Sequence, residues 1–292
     1  MTINPDHLLN FPIPDVRQRL TRRDTILYAL SVGLGQDPLD ARQLDFVDQH
    51  RTLRVLPSMP VVLGHPGFWL LDPRTGVDAV RVVHGEQSVE ILRPLPVEGE
   101  VIGRTRITGL VDKGAGRGAL LYSEKQVIDA ASGDVLALTR STTFLRGDGG
   151  FGGPSGPVRP AHPMPEGAPE FVVDLPTRPE QALLYRLNGD DNPLHADPTF
   201  AEQAGFPRPI LHGLCTLGVV AHALLRVLGD YDTTAFRSLD LRFSAPVLPG
   251  ETIRTEIWRD GSFRARVLER DEIVVNNGRA VFERAPDGGP KR

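Results

Sequence analysis

The sequence predicts an α+β protein made of two similar halves, each combining helices with an antiparallel sheet. A segment from 147 to 169 is dense in Gly and Pro, which disfavour the interiors of helices and strands, so it is typical of a linker. Short motifs recur in the same order on both sides of it. Alternation of apolar and polar residues, typical of strands, also occurs on both sides. We therefore divide the 292 residues into a first half, 1–146, the linker, 147–169, and a second half, 170–292.

The two halves repeat three motifs at a spacing of about 150 residues. The first pair begins at Thr21 and Thr177, each followed three positions later by an acidic residue and then by an apolar stretch. This pattern caps a helix N-terminus by satisfying its free N–H groups. The other two pairs match 60–64 with 209–213 and 99–102 with 250–253. Three matches in one order indicate a duplication.

The second half contains one long helix pattern followed by strands. Apolar residues from Leu214 to Leu228 recur at three- and four-residue intervals and Gly229 follows as a stop, so we predict a helix buried along one side. Alternation predicts strands around 239–243, 253–257, 263–270 and 273–282. A long helix against an antiparallel sheet is the simplest assembly.

The first half has comparable strands but a damaged middle helix. The strand patterns lie at 84–92, 101–110, 119–128 and 135–145. Pro66 and Pro73 bracket a stretch too short for a long helix, and a proline inside a helix costs about 3 kcal/mol. We expect the missing helix to leave room beside the first sheet for a bulky ligand tail.

Composition excludes several classes of protein. A net charge of −4 without a long Lys or Arg run argues against nucleic acid as a partner. The single cysteine, Cys215, excludes an internal disulfide and a Cys-rich zinc site, which fits a reducing compartment. The sequence has neither a signal-peptide core nor a run of about 18 apolar residues. We therefore expect a cytoplasmic protein that does not bind membranes.

The segment 188–198, with the sequence Asn-Gly-Asp-Asp-Asn-Pro-Leu-His-Ala-Asp-Pro, concentrates the residues able to do chemistry. Its Gly and Pro predict a bent loop that aims Asp190, Asn192 and His195 at a common point. A carboxylate and an imidazole facing one site can hold a water molecule, take a proton from it and deliver a proton elsewhere. The same residue types also form ordinary turns, so their spacing alone leaves both interpretations open.

This segment, together with Ala-Gly-Phe at 204–206 and Pro-Ile-Leu-His-Gly-Leu at 209–214, resembles the signature of the (R)-specific enoyl-CoA hydratases, also called hydratase 2 or MaoC-like proteins. His-Gly-Glu-Gln at 84–87 is similar to the first half of the longer, duplicated members. The resemblance spans nearly the whole chain and implies a double hot-dog fold, in which each half wraps a sheet around a central helix. It also implies reversible hydration of trans-2-enoyl-CoA to (3R)-3-hydroxyacyl-CoA, without a metal or redox cofactor.

The resemblance assigns catalysis to Asp190 and His195, which would bracket one water molecule, with Asn192 as their neighbour. The sequence does not say which of the two is the base, since such a pair can titrate as a unit. Gly213 matches the position of the oxyanion donor. It stands at the predicted start of the long helix, where a free N–H and the helix dipole favour an anion.

The first half departs from this pattern, because Asp40 aligns with His195 and no Asp follows Gly33 where Asp190 would be matched. We expect this half to be catalytically inactive and to shape the acyl pocket. Phe68 and Trp69, next to the broken helix, are candidates to line it.

The expected substrate is an acyl-CoA thioester, with an acyl carrier protein as the alternative carrier. Arg208 and Arg242 are candidate partners for the CoA phosphates. A homodimer is a possible assembly.

Other interpretations of the sequence are weaker. A thiol nucleophile at Cys215 is less typical than a small core residue, and a metal site at His195, Asp197 and His212 competes with helix capping by Asp197. We assign no chemistry to three other histidines, His65, His84 and His222. A hot-dog thioesterase and a non-catalytic acyl-thioester-binding protein remain the alternative functions.

Overall fold

The computed structural model describes residues 3–283 and contains one ten-stranded antiparallel sheet. The strands are β1 Val16–Leu20, β2 Val82–Ile91, β3 Gly99–Asp112, β4 Ala119–Asp129, β5 Val135–Leu145, β6 Phe171–Pro176, β7 Phe236–Phe243, β8 Thr252–Ile257, β9 Ser262–Val267 and β10 Glu272–Phe282. The α-helices are α1 Pro5–Leu9, α2 Arg22–Ser31, α3 Leu44–Val47, α4 Gln181–Tyr185, α5 Pro198–Gln203 and α6 Gly213–Leu228. None of the helices within residues 3–283 has the length and apolar character needed to cross a membrane.

The strand order displays the duplication. It runs β1-β3-β4-β5-β2 through the first half and then β7-β10-β9-β8-β6 through the second, so each strand has a counterpart at the same distance from the centre. The sheets of the two halves join where β2 pairs with β7, with Val89 opposite Leu239. The eight strands predicted from alternation are confirmed. The edge strands β1 and β6 were not predicted, because each has only five or six residues and a weak pattern.

Helix α6 confirms the predicted central helix and its end at Gly229, but its burial differs from the prediction. We expected one buried side, whereas every residue from Leu214 to Leu225 is buried. The reason is that α6 lies between its own sheet and the first half. One side contacts β6, β7 and β8, while Gly218 on another side packs against Val32, just after α2.

One of the two predicted helix caps is confirmed. Thr21 and Asp24 form a reciprocal capping box at the start of α2. Thr177 does not cap α4, whose N-cap is Glu180 and receives no hydrogen bond to its side chain. Instead the Thr177 hydroxyl donates to the Glu251 carbonyl at 2.7 Å, because the turn before β8 lies against it.

The broken helix of the first half is confirmed. Between Leu56 and β2 the chain forms only single 3-10 turns, at Met59–Val61, Trp69–Leu71, Pro73–Thr75 and Ala79–Arg81. The buried amine of Lys125, on β4, donates to the carbonyls of Val61 at 3.1 Å and Leu63 at 2.6 Å. A lysine of the sheet thus satisfies carbonyls that a continuing helix would have used.

The room expected beside the first sheet is partly filled. Trp69 stacks on Phe11, with ring centroids 5.8 Å apart, and both belong to a second apolar cluster over β3, β4 and β5. The buried members of this cluster are Ile3, Leu8, Phe11, Leu70, Leu110, Ala119, Leu121 and Leu145. The N-terminal segment therefore covers sheet surface that the missing helix leaves open, because exposed apolar surface is costly in water.

The contact between α2 and α6 predicts the effect of enlarging Gly218. A methyl group there would overlap the Val32 side chain, so Gly218→Ala should lower the free energy of unfolding by roughly 1–3 kcal/mol despite the higher helix propensity of Ala. Denaturant unfolding measures the change. Val32→Ala combined with Gly218→Ala should recover part of the loss, since it restores the space. No recovery would contradict the proposed overlap.

Candidate active site

The segment 188–198 forms the bent loop that its Gly and Pro residues predict. Gly189 has φ 111°, a left-handed conformation that costs Gly little, and it reverses the chain after a 3-10 turn at Arg186–Asn188. The Asn192 side chain accepts from the Leu194 N–H at 3.0 Å and starts the turn Pro193–His195. Asp197 caps α5, as expected. Each bend in the loop therefore has its own local cause.

His195 is nearly buried, with 9% of its surface exposed, and its tautomer is fixed by one hydrogen bond. Its Nδ1 lies 2.9 Å from the carbonyl oxygen of Ile210. A carbonyl can only accept, so Nδ1 carries the proton and Nε2 presents a lone pair in the neutral ring. Burial lowers the pKa of His195, which keeps the ring neutral near pH 7. His195 is therefore suited to act as a base through Nε2.

Asp190 lies beside His195 and a second histidine, His212. A carboxylate oxygen of Asp190 and one nitrogen of each ring all lie within 4.8 Å of one another. The two rings stack with centroids 3.8 Å apart, and His212 Nε2 donates to the Asp190 backbone carbonyl at 3.2 Å. Burial holds the pKa of His212 well below its usual range. Two stacked rings at this distance favour the neutral state of both, because like charges would repel.

Gly213 is the first residue of the sixteen-residue helix α6. Its N–H donates to no group within residues 3–283. Phe243 packs against its Cα, where an added Cβ would meet the phenyl ring at 3.4 Å. A free N–H at the positive end of a long helix is a suitable donor for an oxyanion.

Two histidines of the first half lie near this site, although the sequence analysis assigned them no chemistry. The ring of His84 is 5.0 Å from that of Phe243, which in turn covers Gly213. His65 follows Gly64, the counterpart of Gly213 in the duplication. Burial lowers the pKa of His65, and the nearby charge of Asp190 opposes this effect in part. The duplication could have pointed to His65, because it directly follows Gly64, the position that matches Gly213.

The remaining sequence candidates are dispersed. Arg208 is exposed and lies two residues before Ile210, the partner of His195. Glu86 of the adjacent strand binds the Nε and Nη2 of Arg242, at 3.0 Å and 2.6 Å, and so offsets the charge that a phosphate would attract. Phe68 and Trp69 pack against the second apolar cluster.

The carboxylate and two imidazoles are also a set that could bind a metal ion. His195 uses Nδ1 for Ile210, and His212 uses Nε2 for Asp190. The nitrogens left over are Nε2 of His195 and Nδ1 of His212. Each lone pair lies in the plane of its ring, and the two planes are stacked only 27° from parallel, which does not favour both lone pairs meeting at one ion. Hydrogen bonding to a water molecule tolerates this arrangement better than tetrahedral coordination does.

Cys215 has the structural role that the sequence favoured. It is fully buried, its thiol donates to the Ser31 carbonyl at 3.4 Å, and burial raises its pKa. A thiol with a raised pKa is a poor nucleophile. His222 is also buried and hydrogen-bonds the Tyr231 hydroxyl at 3.1 Å.

Comparison with known proteins identifies the family of the chain. Residues 160–280 match the model of the MaoC like domain, and residues 19–147 match that of the MFE-2 hydratase 2 N-terminal domain. A peroxisomal enoyl-CoA hydratase 2 of Arabidopsis thaliana is 40% identical over 93% of each chain.

Solved structures give the same picture. A MaoC-like dehydratase of Phytophthora capsici has a TM-score of 0.82 at 32% identity and covers 97% of this chain and 98% of its own. A Mycobacterium tuberculosis protein described as a double hotdog fold has a TM-score of 0.56 at 17% identity, over 93% and 94% of the two chains, which supports the fold alone. The chain has a double hot-dog fold and belongs to the MaoC-like, hydratase 2 family, in its duplicated form.

Proposed function

We propose that this protein catalyses the reversible hydration of trans-2-enoyl-CoA to (3R)-3-hydroxyacyl-CoA. The observation that carries the proposal is the meeting of the Asp190 carboxylate and the His195 imidazole beside the first turn of α6. Family membership and relatives named as enoyl-CoA hydratases support the same reaction.

In the proposed mechanism His195 is the base. Its Nε2 takes a proton from a water molecule that Asp190 orients through a second hydrogen bond. The oxygen of the water forms a bond to C3, and the electron pair of the double bond moves towards the thioester carbonyl. The carboxylate of Asp190 stabilises the transient imidazolium, and the imidazolium then returns a proton to C2. The net result is addition of water.

The Gly213 N–H would stabilise the enolate oxygen that forms in this step. The donor is fixed by α6, so it needs no reorganisation as charge develops, and such donors contribute much of the rate enhancement in acyl chemistry. Asn192 would act indirectly, since its own N–H lies 3.4 Å from the Asp190 carboxylate and its side chain shapes the turn that presents His195.

Arg208 remains the proposed partner for the CoA phosphates, because it is exposed near the site and no ion pair within residues 3–283 involves it. The proposed compartment is the cytoplasm, although the Arabidopsis relative is named as peroxisomal. The proposed assembly is a homodimer in which each chain carries its own complete site.

Incubation with crotonyl-CoA tests the reaction class. Enoyl absorbance should fall without release of free CoA, which a chromogenic thiol reagent would detect. An (S)-specific 3-hydroxyacyl-CoA dehydrogenase should fail to oxidise the product. Free CoA would instead indicate a thioesterase, and unchanged absorbance would indicate a binding protein.

Substitution of either catalytic candidate should reduce turnover strongly. Asp190→Asn and His195→Gln should each lower kcat by roughly 10² to 10⁴ fold, the usual effect of losing a positioned acid or base. Initial rates on crotonyl-CoA and circular dichroism measure activity and folding together. A folded variant with turnover near wild type would remove that residue from the mechanism.

The lowered pKa of His195 predicts the acid limb of the pH profile. The base must be neutral, so kcat/KM should fall only as the pH drops through the lowered pKa, and the midpoint should lie below 6.5, the ordinary value for histidine. Initial rates measured across a pH series give the midpoint. Enzyme held at each pH and then assayed at neutral pH shows whether acid has unfolded it irreversibly. A reversible midpoint above 6.5 would contradict His195 as the base.

Acyl-chain preference tests the proposed pocket in the first half. Burial of apolar surface stabilises by about 0.8 kcal/mol per methylene, so kcat/KM should rise from C4 to C8 and C12 enoyl-CoA and should tolerate a bulky branch. Phe68→Ala should reduce kcat/KM for C12 more than for C4. A sharp optimum at C4 would show that the N-terminal segment and its cluster leave no room for an acyl chain.

A further inference from the structure

Ser31, the last residue of α2 in the first half, is a meeting point for three segments of the second half. The Gln181 side chain donates to the Ser31 carbonyl at 2.5 Å, and the Cys215 thiol donates to the same carbonyl at 3.4 Å. The Asn188 amide donates to the Ser31 hydroxyl at 3.0 Å. Ser31, Gln181 and Cys215 are all fully buried. This cluster therefore holds α2 against the start of α4, the active-site loop and α6.

Ser31 and Asn188 are counterparts in the duplication. Each lies three residues after a matched tyrosine, Tyr28 or Tyr185, and each side chain donates to the carbonyl of its own tyrosine, at 2.7 Å and 2.8 Å. The two tyrosines are buried with ring centroids 6.3 Å apart. The pseudo-twofold axis thus passes between these residues, and the pair hydrogen-bonds across it.

The hydrogen bonds of the pair leave one arrangement. The Ser31 hydroxyl gives its only proton to Tyr28, so it can receive the amide of Asn188 but cannot donate to it. Asn188 then uses both amide protons, one for Tyr185 and one for Ser31. The amide plane of Asn188 is fixed by two acceptors from different halves.

Asn188 is joined to Asp190 through Gly189, a residue without a Cβ to restrict its backbone. Its φ of 111° lies where the backbone of Gly is least restricted. The Asn188 contact fixes the chain before this point, and His212 fixes it afterwards by binding the Asp190 carbonyl. Loss of the Ser31 contact would remove the link between this part of the loop and the first half, and the Asp190 carboxylate would then be placed less precisely although His212 still binds the Asp190 carbonyl.

We propose that Ser31 is a positioning residue for the reaction, through which the catalytically inactive half sets the place of the Asp190 carboxylate. The inference rests on the proposed role of Asp190. Ser31 is fully buried and its hydroxyl bonds only Tyr28 and Asn188, so we expect its effect to fall on the chemical step and not on substrate binding.

Ser31→Ala tests this role cleanly, because alanine keeps the carbonyl that binds Gln181 and Cys215 and removes only the hydroxyl. We expect kcat on crotonyl-CoA to fall about 10- to 100-fold with KM within about twofold, the pattern of a displaced catalytic group. Ser58→Ala is the matched control. Ser58 is a fully buried serine of the same half that accepts from Tyr28 at 3.0 Å, and none of its hydrogen bonds reaches residues 186–195. Ser58→Ala should keep kcat within about twofold of wild type even if its thermal stability falls as much as that of Ser31→Ala.

A double-variant cycle separates positioning from general damage. Asn188→Ala should lower kcat at least as much as Ser31→Ala, because it also removes the bond to the Tyr185 carbonyl. The double variant should lose no more than Asn188→Ala alone, since the Ser31–Asn188 contact is already absent there. Ser31→Cys, which keeps the volume but accepts hydrogen bonds poorly, should also lose kcat and serves if Ser31→Ala does not fold. Unchanged kcat in a folded Ser31 variant, equal loss in Ser58→Ala, or multiplied losses in the double variant would each overturn the proposal.

Wild type and Asp190→Asn are assayed alongside. If wild type does not hydrate crotonyl-CoA, or Asp190→Asn stays active, the proposed function fails. If both behave as expected while Ser31→Ala matches wild type, only the positioning role fails.

Discussion

Strands β2 and β7 pair along five residue positions, from Glu86 opposite Arg242 to Glu90 opposite Ser238, and this pairing makes one sheet out of two halves. The pairing places the start of β2 beside the end of β7, where Phe243 covers Gly213. The Glu86–Arg242 ion pair crosses the same junction. The proposed catalytic residues all belong to the second half, but His84 of the first half lies against Phe243 beside them, because the sheet is continuous.

A duplicated chain can let matched positions diverge in a way that two identical subunits cannot. Ser31 and Asn188 are counterparts with different hydrogen-bonding capacity, which allows one to accept from the other across the axis. His212 occupies the N-cap position of α6, although its side chain donates no hydrogen bond to the helix, whereas its counterpart Leu63 precedes a break and has its carbonyl bound by Lys125. The half without the long helix therefore has structural roles at the shared surface, whether or not it takes part in the chemistry.

The sequence predicted those features that depend on local patterns. Eight strands, the break at Pro66 and the turn at Gly189 all follow from periodicity or backbone preference. The cap at Thr177 was wrong because a distant turn competes for its hydroxyl, and the one-sided burial of α6 was wrong because the first half covers its other side. The stacking of His212 on His195 and the pairing of Arg242 with Glu86 also depend on packing between segments far apart in sequence. No local pattern contains that information.

The burial of the two stacked histidines sets a condition on how the site can work. Desolvation lowers the pKa of His195, and the nearby Asp190 charge and the Ile210 carbonyl oppose this effect only in part. In the proposed mechanism, a proton on Nε2 would therefore be held weakly, because the His212 ring is stacked 3.8 Å away and Arg186 adds positive charge nearby. Such a base releases its proton readily. In the proposed mechanism the imidazolium returns a proton to C2 after C3 has reacted, and a histidine that holds its proton weakly favours this step. The same imidazolium would be stabilised by the Asp190 carboxylate, so the proposed reaction depends on where that carboxylate lies.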